Sequence, residues 1–174
     1  YSISHHHRQD PFIQYAKYQG KLNNIYQEMR DLIEWQSDIP GNKVVVQSNH
    51  HEHIQRYIQE TDWRTDPENA EFYLETALYM LHNTNVDENG AYYPDPFKYW
   101  INQLDPNLDV LGIDESYMVH DIECGMHGHV GPNGARGSPQ NLSKIGSKCV
   151  IGHGHSPVIE AGLMSVGVLT GNMR

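Results

Sequence analysis

Two apolar runs, each ending in a Gly/His cluster, constrain this chain more than any other feature. The first leads through Tyr117-Met118-Val119-His120-Asp121-Ile122-Glu123-Cys124-Gly125 to Met126-His127-Gly128-His129. The second, Cys149-Val150-Ile151, ends in Gly152-His153-Gly154-His155. Between them lies a glycine-rich connection, Val130-Gly131-Pro132-Asn133-Gly134-Ala135-Arg136-Gly137-Ser138-Pro139. Short apolar runs bounded by glycine read as buried strands. Histidines at strand ends are how an α/β protein builds a metal site, because neutral imidazole is the commonest nitrogen ligand and a strand end holds it rigidly. The i, i+2 spacing sends both side chains of a pair to one face of extended chain. In a loop, the glycine between them lets both rings converge.

The pattern of strand followed by metal-capable side chains occurs once more. Lys43-Val44-Val45-Val46-Gln47-Ser48 reads as a buried parallel strand and runs into Asn49-His50-His51-Glu52-His53. Helices surround it. Asp10-Pro11 is an N-cap followed by proline at the first helical position, and apolar residues at Tyr15, Tyr18, Leu22, Ile25, Met29, Leu32 and Trp35 predict one long amphipathic helix packed on a sheet, stopped by Pro40-Gly41. A helix over residues 67–82 is predicted to bury Phe72, Leu74, Ala77, Leu78 and Leu81. Residues 83–95 read as a loop, Asp95-Pro96 caps a helix to Leu104, and Val158 to Leu169 reads as a strand pair or hairpin. His120, inside an apolar run, reads as a hydrogen-bonded core residue, and His82 as a helix-end residue with no site role.

The 174 residues suit one domain of α/β class with a sizeable core. A formal charge of −10 argues against nucleic-acid binding through a broad basic surface. It leaves room for an enzyme whose metal ions meet the phosphates. No apolar run approaches the roughly 20 residues of a transmembrane helix. Cys124 and Cys149 read as reduced thiols in apolar runs, as in a cytoplasmic protein, with a disulfide open only if their strands are neighbours. Of 12 histidines, His5, His6 and His7 resemble a tag remnant.

With three clusters in place, the chain resembles the calcineurin-like metallophosphoesterases over residues 43–168. That family's later motifs, Gly-Asn-His-Asp/Glu, a lone His-Gly and Gly-His-x-His, read here as Ser48-Asn49-His50-His51-Glu52, His127-Gly128 and Gly152-His153-Gly154-His155. Ser48 replaces glycine, and His51 stands where the family has a carboxylate. The loop after His127 is similar to that of the phage-encoded branch, which includes the pre-early DNase of T5-like phages.

The resemblance implies an α/β/β/α sandwich of two mixed sheets, incomplete at the N-terminus. It implies Asn49, His127 and His153 as ligands of one divalent ion, His155 as a ligand of its partner, and His50 as the histidine that polarises the phosphate or protonates the leaving oxygen. Mn²⁺ is the first choice of ion, with Mg²⁺, Zn²⁺ and Fe²⁺ as alternatives. Asn133 and Arg136 would meet a phosphate, although a surface turn with an exposed arginine is an equal reading. The family's opening motifs, Asp-x-His and Gly-Asp, occur nowhere in these residues. A fragment is therefore expected, with the first strands and half of the ligands upstream of Tyr1.

The function expected is a metal-dependent phosphodiesterase acting on DNA, in the host cytoplasm if phage-encoded, with Arg136, Lys144 and Lys148 as a local basic cluster. Tyrosine- and tryptophan-rich helices (Tyr15, Tyr18, Trp35, Tyr79, Trp100) leave a homo-oligomer open. A phosphatase on a small phosphoester, a non-catalytic scaffold of the same fold, and a mononuclear histidine metal protein are the alternatives.

Overall fold

A computed structural model of the chain describes residue 3 and residues 8–113, 115–131 and 134–167. It is a mixed α/β protein that separates into two compact units, Tyr1–Lys43 with His50–Leu108, and Val44–Asn49 with Asp109–Arg174.

The first unit is helical. The Asp10 carboxylate accepts from the amides of Phe12 and Ile13 and starts α1, Pro11–Gly20. The single long helix expected from the apolar spacing is two helices, because Lys21 takes a left-handed conformation (φ 53°) and Asn24 caps a new start by accepting from Gln27 N. This second helix, α2 (Ile25–Ser37), buries Ile25 and Met29. The α1 stripe does not pack on a sheet. Phe12, Tyr15 and Tyr18 are 85%, 66% and 66% exposed.

Three further α-helices follow among the described residues of the unit: α3 (Glu52–Glu60), α4 (Ala70–Asn83) and α5 (Pro96–Leu104). Asp95 caps α5 through Phe97 N and Lys98 N, as its Asp-Pro start predicts. Ile54, Tyr57, Phe72, Phe97, Trp100 and Ile101 form the core with α2. On α4 the buried face is Phe72, Thr76 and Met80, whereas the predicted Leu74, Leu78 and Leu81 are exposed. The reason is a polar anchor. The Trp100 indole donates to Thr76 Oγ1 at 2.8 Å, and that hydroxyl donates to Phe72 O at 2.6 Å, so threonine satisfies a buried indole where leucine would orphan it. The expected loop after α4 contains an exposed hairpin, β2 (Asn85–Asp87) with β3 (Gly90–Tyr92).

The second unit is built on strands. The predicted strand over 43–48 is only β1, Val44–Val45, paired parallel with β4, Asp109–Val110. A five-stranded mixed sheet has the order β5-β6-β7-β9-β8, formed by Met118–Val119, Ile122–Glu123, Cys149–Ile151, Leu163–Ser165 and Val158–Glu160 respectively. Central β7 lies parallel to both β6 and β9. Its Cys149 and Ile151 pack with Leu163, with Leu142 of α6 (Pro139–Leu142) and with the half-buried Met126. The β8–β9 hairpin forms within the expected 158–169 run, and Ala161 and Gly162 (φ 47° and 87°) make its tight turn.

His120 is no core residue. It sits exposed, at φ 55°, in the two-residue turn between β5 and β6. Both cysteines are free thiols, and burial pushes the Cys149 thiol up from its ordinary value, helped by Glu123 and Cys124. Among the described residues no helix is long and apolar enough to cross a membrane.

Candidate metal centre

Three chain segments of the strand unit deliver the site. β1 carries the chain to Asn49, the segment after β6 carries it to His127, and β7 ends at His153. The backbone at this point is stitched: the Gly152 and His153 amides both donate to the His127 carbonyl, at 3.1 and 2.9 Å.

Two glycines set how close the segments come. Gly128 has φ +88°, and a Cβ there would lie 2.9 Å from Ile151 Cβ. A Cβ on Gly137 would lie 1.8 Å from Gly128 O and 2.9 Å from the His129 carbonyl carbon, atoms of backbone that cannot step aside. The Gly137 amide donates to His129 O at 2.8 Å, which folds the connection back on the histidine pair. Gly137→Ala is therefore expected to destabilise this unit by about 2 kcal/mol or more, at the upper end of ordinary overpacking. Chemical denaturation would show it, and a midpoint equal to that of the parent would contradict the clamp.

Asn49 and His153 each approach His127 Nε2. Asn49 Oδ1 lies 3.0 Å from His127 Nε2, and His127 Nε2 lies 3.4 Å from His153 Nδ1. All three residues are half-buried. Donor atoms 3.0–3.4 Å apart are spaced as the ligands on one divalent ion are, given metal–donor bonds of about 2.0–2.2 Å. Two imidazole nitrogens and an amide oxygen suit a first-row transition ion. Among the described residues no group of three or more His, Cys, Asp and Glu side chains is arranged to hold a metal.

Other predicted positions fall elsewhere. His155 is exposed and does not join the trio's hydrogen bonds or ring contacts. Arg136 is exposed on the loop, its backbone bridged to Val130. Asn133 and His5 to His7 lie outside the described residues. Lys148, expected in a basic cluster, is paired with Asp121 at 2.5 Å.

His50 belongs to the helical unit, in the turn before α3, exposed, with its ring 5.7 Å from that of His53. His51 stacks on Phe97, centroids 3.6 Å apart, which gives it a packing role. His53 is held neutral down to about 4, first by burial and then by the His50 ring and the Arg56 and Arg8 charges. The unfolded chain takes up this proton near 6.5 and the folded one does not. The His53 contribution to stability is therefore intact above about 6.5 and is lost as pH falls toward about 4. His53→Gln should flatten that part of a melting-temperature profile, and an unchanged slope would contradict the assignment.

No protein-family model matches the chain, and no solved structure matches it. It is a mixed α/β chain whose strand ends gather two imidazoles and an amide. A curated relative is Protein A1 of Escherichia phage T5, 31% identical over 183 residues, covering 99% of this chain and 32% of that protein. The likeness ties the chain to T5-like phages, and the chain spans about a third of the relative's length.

Proposed function

We propose that this chain carries part of the centre of a metal-dependent phosphodiesterase whose substrate is DNA. The observation behind the reading is the meeting of Asn49 Oδ1, His127 Nε2 and His153 Nδ1 within 3.0–3.4 Å links, from three segments far apart in sequence. Their motif order, Asn-His, His-Gly, Gly-His-x-His, is the one that resembles the metallophosphoesterases. The fold proposed with it is the α/β/β/α sandwich of that family.

Divalent ions at such a centre neutralise phosphate oxygens and make water a nucleophile at neutral pH. The chain's own residues divide the remaining work. Asn49, His127 and His153 would hold one ion, and His155 would be a ligand of its partner. His50 donates a proton to the leaving oxygen, the role a positioned imidazole fills near neutral pH. Arg136 and the backbone amides of its loop receive the phosphodiester, with a guanidinium fork matched to two phosphate oxygens. In an acidic protein the ions must provide most of the attraction for DNA.

The coding sequence containing this chain, expressed in full with Mn²⁺, should hydrolyse bis(p-nitrophenyl) phosphate in preference to p-nitrophenyl phosphate. The reverse preference would replace the nuclease reading with a phosphatase. A protein that binds no metal and cleaves neither ester would leave the non-catalytic scaffold.

A further inference from the structure

We infer that the cleft beside α1 is a docking site for an arginine-bearing segment of a partner protein. The cleft lies within the helical unit, and the inference is independent of the metal-centre reading. It encloses about 960 Å³, and its lining joins Tyr15 and Tyr18 of α1 with Glu60, Asp62, Asp66 and Glu68. α1 itself buries none of its residues. Phe12, Tyr15 and Tyr18 follow one another at i, i+3 spacing, so three exposed rings stand in a row along the helix. A row of exposed rings beside a polar cleft marks an interaction face.

The charge of the cleft says what covers that face. Asp66 accepts from the Tyr57 hydroxyl at 2.9 Å and from Asn69 Nδ2 at 2.9 and 3.1 Å, and Glu68 accepts from Asn24 Nδ2 at 2.9 Å. These donors are neutral and leave the carboxylate charge uncompensated, and among the described residues neither carboxylate is in an ion pair. Glu60 pairs with Arg8 and Arg56, and Asp62 with Arg64, yet their side chains stay half-exposed, at 49% and 54%. Burial first, and then the Asp66 charge, pushes the Tyr57 phenol well above its ordinary value, as expected where a further negative charge is unwelcome.

A guanidinium suits both parts of this lining. Its N–H fork matches a carboxylate, and its flat face stacks on a tyrosine ring. The cleft already holds one such group. Arg8 lines it, with Nη2 donating to Glu60 Oε2 at 2.9 Å and Nη1 donating to Thr61 Oγ1. Tyr15, Tyr18, Asp66 and Glu68 offer the same chemistry to an incoming arginine. Phe12, the most exposed of the three rings at 85%, adds an apolar contact on the preceding turn. A polypeptide can fill both the charged cleft and that contact, whereas a free polyamine has no apolar side chain to place there. The phosphates of a nucleic acid would meet like charge.

The test follows the fluorescence anisotropy of a labelled peptide of alternating arginine and leucine, in EDTA and about 0.15 M salt, where long-range attraction is screened. The protein is the full product of the coding sequence containing this chain. The peptide should bind, and its counterpart of alternating glutamine and leucine should not. Tyr15→Ala with Tyr18→Ala should weaken binding about five- to thirtyfold, the loss of two exposed cation–π contacts. Alanine is the best helix former, so circular dichroism should stay parent-like. Glu68→Gln should weaken binding about threefold or more, whereas Asp87→Asn, which removes the same charge from the exposed β2–β3 hairpin, should not. Parent-like binding in the tyrosine variant, or equal effects of Glu68→Gln and Asp87→Asn, would overturn the inference by reducing the attraction to net charge. Displacement of the peptide by an equal concentration of spermine would overturn it in favour of a polyamine. Binding of a single-stranded oligonucleotide, or formation of a dimer, that the tyrosine variant loses would overturn it by giving the rings to nucleic acid or to a second copy.

Discussion

His153→Ala is expected to abolish DNA cleavage and to weaken metal binding by about 10- to 100-fold or more, since even residues supporting a ligand carry effects of that size. His153 Nδ1 lies 3.4 Å from His127 Nε2. Its backbone amide, which holds the His127 carbonyl at 2.9 Å, survives the substitution. The lost function would therefore come from the ligand and not from a collapsed strand end. Calorimetric Mn²⁺ titration beside a cleavage assay checks both halves. Normal metal affinity in the variant would remove His153 from the centre.

His50→Ala should behave differently. The metal stays bound, and turnover falls by roughly 10²- to 10⁴-fold, the usual size of a general-acid contribution. His50 follows Asn49 directly in sequence; it is exposed, and its ring stands 5.7 Å from that of His53. The same titration and assay separate the roles. Equal metal loss in His50→Ala and His153→Ala would erase the distinction between acid and ligand.

Local signals carried well from sequence to structure. Asp10-Pro11 and Asp95-Pro96 start helices because a carboxylate that accepts two orphan amides needs only its own neighbours. The histidine clusters were legible for a similar reason, since each is a strand followed by glycine and imidazole. Asn49 lies within hydrogen-bond reach of His127, and His127 of His153.

Non-local decisions were hidden. Nothing in Leu74, Leu78 and Leu81 reveals that Thr76 holds the core face of its helix, because that choice depends on the Trp100 indole 24 residues away. The break at Lys21 comes from a left-handed residue followed by the Asn24 cap, against an apolar spacing that runs straight through. The apolar run around His120 predicts strand interior, but the chain reverses there between two-residue strands. The His129 ring, 5.5 Å from that of His127, had one signal, its i+2 spacing. The clamp on that segment, Gly137 against Gly128, is a backbone contact that spacing does not encode.

The most direct measurement incubates the full product of the coding sequence containing this chain with linear and circular double-stranded DNA. Parallel reactions hold Mn²⁺ or EDTA, and His153→Ala is run beside the parent. Cleavage by the parent in Mn²⁺, none in EDTA and none by His153→Ala is the predicted result, and nicking or opening of circles would define an endonuclease. Intact DNA of both forms, with parent protein shown to have bound its metal, would contradict DNA as the substrate.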